Sequence, residues 1–179
     1  MSNTLTTPQG VVAIRPAVPD DAAALRELRL EALGAHPDAF SADYAAAAAQ
    51  SAQAWAERVA GYAVESQGVI CVAAAAGRLV GMTGLVREQW PKSRHGATLW
   101  GVYVKVEWRG LHVAEALVNE GIAWARAHGV VILKLGVVTR NVAAIRCYAR
   151  CGFTVYGLDP KTIRHDGVYY DELLMAREV

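Results

Sequence analysis

An arginine and a glycine, Arg109-Gly110, sit where an apolar run gives way to a helical pattern. The run before them holds Leu99, Trp100, Val102, Tyr103 and Val104, a composition suited to a buried strand. After them Ala114, Leu117, Val118, Gly121, Ile122 and Ala125 recur on one helical face, which predicts a helix over 113–127. The first N–H groups of a helix have no intrahelical partner, and the helix dipole favours negative charge there. Arg109 adds a fork of donors suited to phosphate. The chemistry this implies is capture of a diphosphate at the start of the helix. The same spacing also fits an ordinary helix start beside a solvated arginine. It is neither a P-loop, since no Gly-Lys-Ser/Thr follows, nor a dinucleotide fingerprint, since the further glycines are missing.

A second set of residues follows: Asn141-x-x-Ala144-x-x-x-Tyr148-x-x-x-Gly152-Phe153. Asn141 is a good helix N-cap, and Ala144, Ile145 and Tyr148 share a face of the short helix behind it, which Gly152 ends. A tyrosine phenol, with a free pKa of about 10, can protonate a thiolate, whose conjugate acid lies near about 8.5. Cys147 and Cys151 flank Tyr148; an acyl-cysteine is chemically open to them, but small apolar packing is the ordinary use of such residues.

The elements that position these residues can be read in order. Residues 1–10 read as a frayed tail and 11–179 as a single domain. A strand is expected over 11–15, then a helix carrying Leu25, Leu28, Ala32 and Leu33. A second helix is expected over 51–60, carrying Trp55 and Val59 and stopped by Gly61, with 36–50 a loop or loose helix. A hairpin over 69–75 and 79–86 turns at Ala76-Gly77-Arg78, and a polar loop over 89–96 leads into the strand 97–104. Beyond the 113–127 helix, 130–138 reads as a central strand apolar on both faces. Strands at 153–156 and 168–177, separated by a loop over 157–166, end the chain. The order β-α-α-β-β-β-α-β-α-β-β describes an α/β chain, an α+β mixed sheet with helices on both faces.

Composition narrows the function classes. The 179 residues are 54% hydrophobic and 20% charged, enough for one full core. A formal charge of +1 gives no electrostatic case for a nucleic-acid or membrane partner. Three cysteines without metal-like spacing suggest reduced thiols, a cytoplasmic setting and no metal.

With Arg109-Gly110-x-x-x-Ala114 and the Asn141–Phe153 motif in the right element order, the chain resembles the GNAT superfamily of acetyl-CoA-dependent N-acetyltransferases. The tail Tyr169-Tyr170-Asp171-Glu172-Leu173-Leu174-Met175 is similar to the family's final strand. The family signature has glycine where this chain has His112. The resemblance implies acetyl-CoA as cosubstrate, with its pyrophosphate on Arg109, Gly110, Leu111, His112, Val113 and Ala114. It implies pantetheine pairing along Val102, Tyr103 and Val104, with the Val102 N–H polarising the thioester carbonyl and Asn141 touching the pantetheine. Tyr148 would be the general acid. The reaction implied is direct attack by a primary amine in a ternary complex; the alternative is a catalytically degenerate acyl-CoA or partner binder. The strand 98–104 holds no carboxylate, so Glu88, His95 or water are the candidate bases. The acceptor, a small-molecule or peptide amine, would be chosen by 34–54, 87–96 and 157–167, with Tyr44, Trp90, Trp100 and Tyr103 able to line its cleft. An apolar-rich chain ending in a β-hairpin is compatible with a homodimer.

Overall fold

The computed structural model describes residues 3–64 and 67–179. The strands are β1 (Asn3–Thr7), β2 (Gly10–Pro16), β3 (Gly68–Ala75), β4 (Arg78–Arg87), β5 (Gly96–Val104), β6 (Ile132–Val138), β7 (Thr154–His165) and β8 (Val168–Glu178). The helices are α1 (Ala22–Ala35), α2 (Tyr44–Ala48), α3 (Ala52–Val64), α4 (Val113–Ala127) and α5 (Val142–Arg150). The strands form one sheet in the order β1-β2-β3-β4-β5-β6-β8-β7. Its pairs are antiparallel except β5 and β6, which run parallel and need the α4 crossover between them.

Two apolar layers flank the sheet. Leu85, Leu117, Val118, Leu133 and Met175 belong to the cluster beneath α4. Leu25, Leu28, Trp55, Val72 and Met82 belong to the cluster beneath α1 and α3. The helix expected over 113–127 is α4, and its buried residues Leu117, Val118, Gly121, Ile122 and Ala125 follow the predicted face. Asn141 caps α5, its Oδ1 accepting from the Ala144 N–H at 3.2 Å.

Several expectations need correction. Residues 3–7, read as tail, form β1 and pair with β2 from Asn3↔Ile14 to Thr7↔Gly10. The loose segment over 36–50 contains α2, started by Asp43, whose Oδ1 accepts from the Ala46 N–H at 2.8 Å. Gly61 lies inside α3 rather than ending it. A helical glycine costs about 1 kcal/mol, a deficit that burial of Trp55 and Val59 offsets. The loop expected over 157–166 is mostly β7, which stays paired with β8 through irregularities at Val155/Gly157 and Asp159/Ile163. Finally, β6 is not buried on both faces. Leu133, Leu135 and Val137 face the α4 layer, whereas Lys134 and Gly136 are exposed. The α1 and α3 helices pack on β3, β4 and β5 and leave that part of β6 uncovered.

Candidate active site

The site begins with a defect in β5. Trp100 pairs with Gly84 and Tyr103 with Met82, so Gly101 and Val102 together oppose the single residue Thr83. This is a β-bulge. Gly101 takes φ +65°, a conformation that side chains resist, and the Thr83 hydroxyl donates to the Trp100 carbonyl at 3.1 Å to hold the kink. Pairing of β5 with β6 covers only 96–98 against 132–134. Beyond that point the strands part, and a cavity of about 660 Å³ lies between them. Leu99 to Val104 line one wall and Gly136 to Val138 the other.

The start of α4 closes one end. His112 is its N-cap residue, and no side chain caps the helix, so the first-turn N–H groups are open to an anion. His112 has φ +61°, the left-handed conformation. The turn itself demands the geometry in which glycine, the family's residue at this position, is most at ease. The imidazole is turned aside, with Nδ1 2.7 Å from Glu115 Oε2. Arg150 also binds Glu115, its Nε donating to Oε1 at 2.6 Å. Burial pushes the Glu115 carboxyl up, but the hydrogen bonds from His112 and Arg150 outweigh it and hold it below its usual range.

Nine of the ten residues assigned to cosubstrate by resemblance behave unevenly around this cavity but all line it: Val102, Tyr103, Val104, Arg109, Gly110, His112, Val113, Ala114 and Asn141. The tenth, Leu111, instead packs its side chain on the apolar core, leaving only its backbone for such a role. Arg109 is less free than the sequence suggests. Its Nε donates to the Val104 carbonyl at 3.0 Å and its Nη2 to His36 Nε2 at 2.9 Å. A guanidinium has no acceptor, so His36 Nε2 is the accepting atom in this contact. Three arginines that sequence reasoning missed, Arg140, Arg146 and Arg150, also line the cavity. Their signal was available: one precedes the Asn141 cap, and the others lie one turn apart on α5.

Tyr148 lies on α5 facing the same cavity, 8% exposed, its ring edge-on to Phe153 with centroids 6.1 Å apart. Burial, and then the thiols of Cys147 and Cys151, raise its phenol well above the ordinary value, so it stays protonated at neutral pH. Cys147 also lines the cavity, but a hydrogen bond shared with Cys151, and then burial, raise its thiol. A thiol held protonated is a poor nucleophile, which favours packing for Cys147, and Cys151 is buried and does not line the cavity.

Glu88 and His95 do not reach this site. They line a separate pocket of about 310 Å³ with Lys134 and Ile132. His95 precedes β5, and at a rise of about 3.3 Å per residue the bulge lies roughly 20 Å along the strand. The segment 87–96 is therefore displaced from the cleft, and 157–167 does not line it either. Of the segments expected to select the acceptor, only 34–54 contributes, through His36, Asp38, Ala39 and Phe40. Trp100 and Tyr103 line the cavity; Tyr44 and Trp90 are 50% and 77% exposed and do not. One carboxylate of the tail motif, Glu172 on β8, lies against the cleft residue Gly136 without itself lining the cavity. A Cβ on Gly136 would stand 2.5 Å from Glu172 Oε2, so glycine is what lets this side chain lie against β6. Burial, and then Asp159, raise the Glu172 carboxyl above its usual range.

The chain matches the profile of the Acetyltransferase (GNAT) family over residues 35–153. It is 32% identical over 127 residues to L-amino acid N-acetyltransferase AaaT of Escherichia coli, covering 69% of this chain and 74% of that protein. An acetyltransferase of the GNAT family from Streptococcus pneumoniae superimposes with a TM-score of 0.85 at 26% identity, covering 94% of this chain and 99% of that one. The fold is also that of yncA from Salmonella typhimurium, solved with its cofactor acetyl-CoA, at a TM-score of 0.79 and 24% identity over 93% of both chains. Splayed strands, an open helix start and these likenesses agree: the chain belongs to the GNAT family of acetyltransferases.

Proposed function

We propose that the protein transfers the acetyl group of acetyl-CoA to the primary amine of a small acceptor, by direct attack in a ternary complex. The observation that carries this reading is the parting of β5 from β6 at a bulge, directly ahead of an uncapped helix start. The residues present suit the cosubstrate. Open N–H groups and arginines at 109, 140, 146 and 150 match a diphosphate, and unpaired strand edges match an amide-bearing arm.

Each residue then has a defined task. The backbone from Gly110 to Ala114 binds the pyrophosphate. The edge of Val102, Tyr103 and Val104 aligns the pantetheine, with Asn141 on its other side, and the Val102 N–H stabilises the oxyanion formed when the amine attacks the thioester carbonyl. Since the Val104 carbonyl already accepts from Arg109, that strand edge offers its remaining groups. Tyr148, kept protonated by burial, gives its proton to the departing thiolate and regains one from the ammonium through water. Proton loss from the amine runs to the water of the open cleft.

The test is release of free CoA thiol on mixing acetyl-CoA with a panel of primary amines. Amine-stimulated release, with the N-acetylated product identified by mass, is the expected result. Binding of acetyl-CoA without release for any amine would instead leave a binder of acyl-CoA without turnover.

A further inference from the structure

Arg29 stands out on the opposite side of the sheet from Tyr148. It projects from α1, is 8% exposed, and makes no ion pair among the described residues. Its Nη1 is fully buried without a hydrogen-bond partner. The guanidinium carbon lies 4.8 Å from the centre of the Phe40 ring and 5.9 Å from that of Trp100. Nη1 is 3.5 Å from where a Cβ on Gly101 would stand. Phe40, Trp100 and Gly101 all line the cleft, so the cation is bracketed by three cleft residues at the bulge.

A buried charge is costly unless it is paired, and the aromatic rings only partly meet that need. Burial, and then the like charge of Arg58, lower the Arg29 affinity for its proton to about 10, which still leaves it charged at neutral pH. The second buried side-chain atom without a partner among the described residues is also a donor, Trp55 Nε1 on α3. Both unpartnered atoms of this helical layer are thus donors that lack an acceptor. A ligand carboxylate would supply one, because its two oxygens match the planar guanidinium fork.

We propose that Arg29 binds a carboxylate of the acceptor, so that the amines acetylated are those of amino acids rather than of simple alkylamines. This inference rests on the acetyl-transfer reading above. Phe40 belongs to the segment between α1 and α2 and separates the guanidinium from the cleft, so binding of the carboxylate requires this ring to shift. Phe40 and Trp100 then offer apolar surface to the amino-acid side chain. The carboxylate on the α1 side directs the amino group toward the bulge, where the Val102 N–H lies.

The experiment measures binding to the CoA-saturated protein by calorimetry. L-alanine, L-leucine and L-phenylalanine are each compared with the amine lacking the carboxylate: ethylamine, isopentylamine and phenethylamine. At least one amino acid is expected to bind about tenfold or more tightly than its amine. Arg29→Met should weaken that amino acid by roughly tenfold to a hundredfold, the range for a hydrogen-bonded charged group. It should leave the matching amine within about threefold, and Arg29→Lys should restore part of the preference. CoA affinity and circular dichroism verify folding, and Arg29→Lys carries the test if the methionine variant does not fold. No carboxylate preference in any pair, or a preference that survives Arg29→Met, would overturn the inference. Thiol release in the same samples separates the two claims. Turnover without carboxylate preference defeats only the role of Arg29, whereas carboxylate-selective binding without turnover defeats only acetyl transfer.

Discussion

His112 Nδ1 lies 2.7 Å from Glu115 Oε2 while the His112 backbone holds φ +61° at the start of α4. The family glycine is thus replaced by a residue that keeps the left-handed turn and ties its side chain to the first turn of the helix. The imidazole bridges away from the open N–H groups, and Glu115 links it to Arg150 on α5.

His112→Gly should therefore bind acetyl-CoA as tightly as the parent or more so. Glycine relieves a left-handed strain of roughly 1 kcal/mol and loses only an exposed contact. Calorimetry from pH 5.5 to 8.5 checks this. A tenfold weaker variant that also loses a pH-dependent component would make the imidazole a phosphate ligand instead. The lowered Glu115 carboxyl adds a sign: its contribution to stability is present above the ordinary value of about 4.3 and fades as pH falls through the folded value.

Tyr148→Phe should lower kcat by about a hundredfold or more and leave acetyl-CoA affinity nearly unchanged, because only a transferable proton is removed. Pre-steady-state thiol release together with calorimetry separates the two effects. A fully active variant would contradict the role of proton donor, and lost affinity would point to packing against Phe153.

Much of the site was legible because it depends on local signals. Apolar periodicity defined α4, the side-chain oxygen of Asn141 marked the start of α5, and Arg109-Gly110 placed the loop ahead of α4. What escaped the sequence depends on contacts between distant segments. The bulge at Gly101 and Val102 exists only against Thr83, and Glu172 lies against β6 only because Gly136 leaves it room. Arg29 reads as a polar residue on an amphipathic helix until Phe40 and Trp100 fold over it. Glu88 and His95 were attractive because they are near β5 in sequence, but a strand carries its two ends far apart. The β1 strand was missed because a short polar segment such as Asn3–Thr7 takes its structure from pairing with β2.

The β7–β8 hairpin should pair two copies of the chain. β7 is an edge strand, and Val155, Tyr156, Leu158 and Tyr169 on this hairpin are each more than half exposed, at 51–55%. Light scattering at micromolar concentration should give twice the 19.2 kDa chain mass. Tyr156→Glu with Leu158→Glu should shift the mass toward monomer. A parent protein that is monomeric at that concentration would contradict the interface.

The central claim is that the gap between β5 and β6 aligns acetyl-CoA with its thioester at the bulge. A crystal structure of the complex tests it most directly. The account predicts pyrophosphate oxygens within about 3.2 Å of backbone N–H groups from Gly110 to Ala114, the thioester carbonyl at the Val102 N–H, and the sulfur within reach of the Tyr148 hydroxyl. Acetyl-CoA bound elsewhere, or in the cleft with its thioester remote from Val102 and Tyr148, would contradict it.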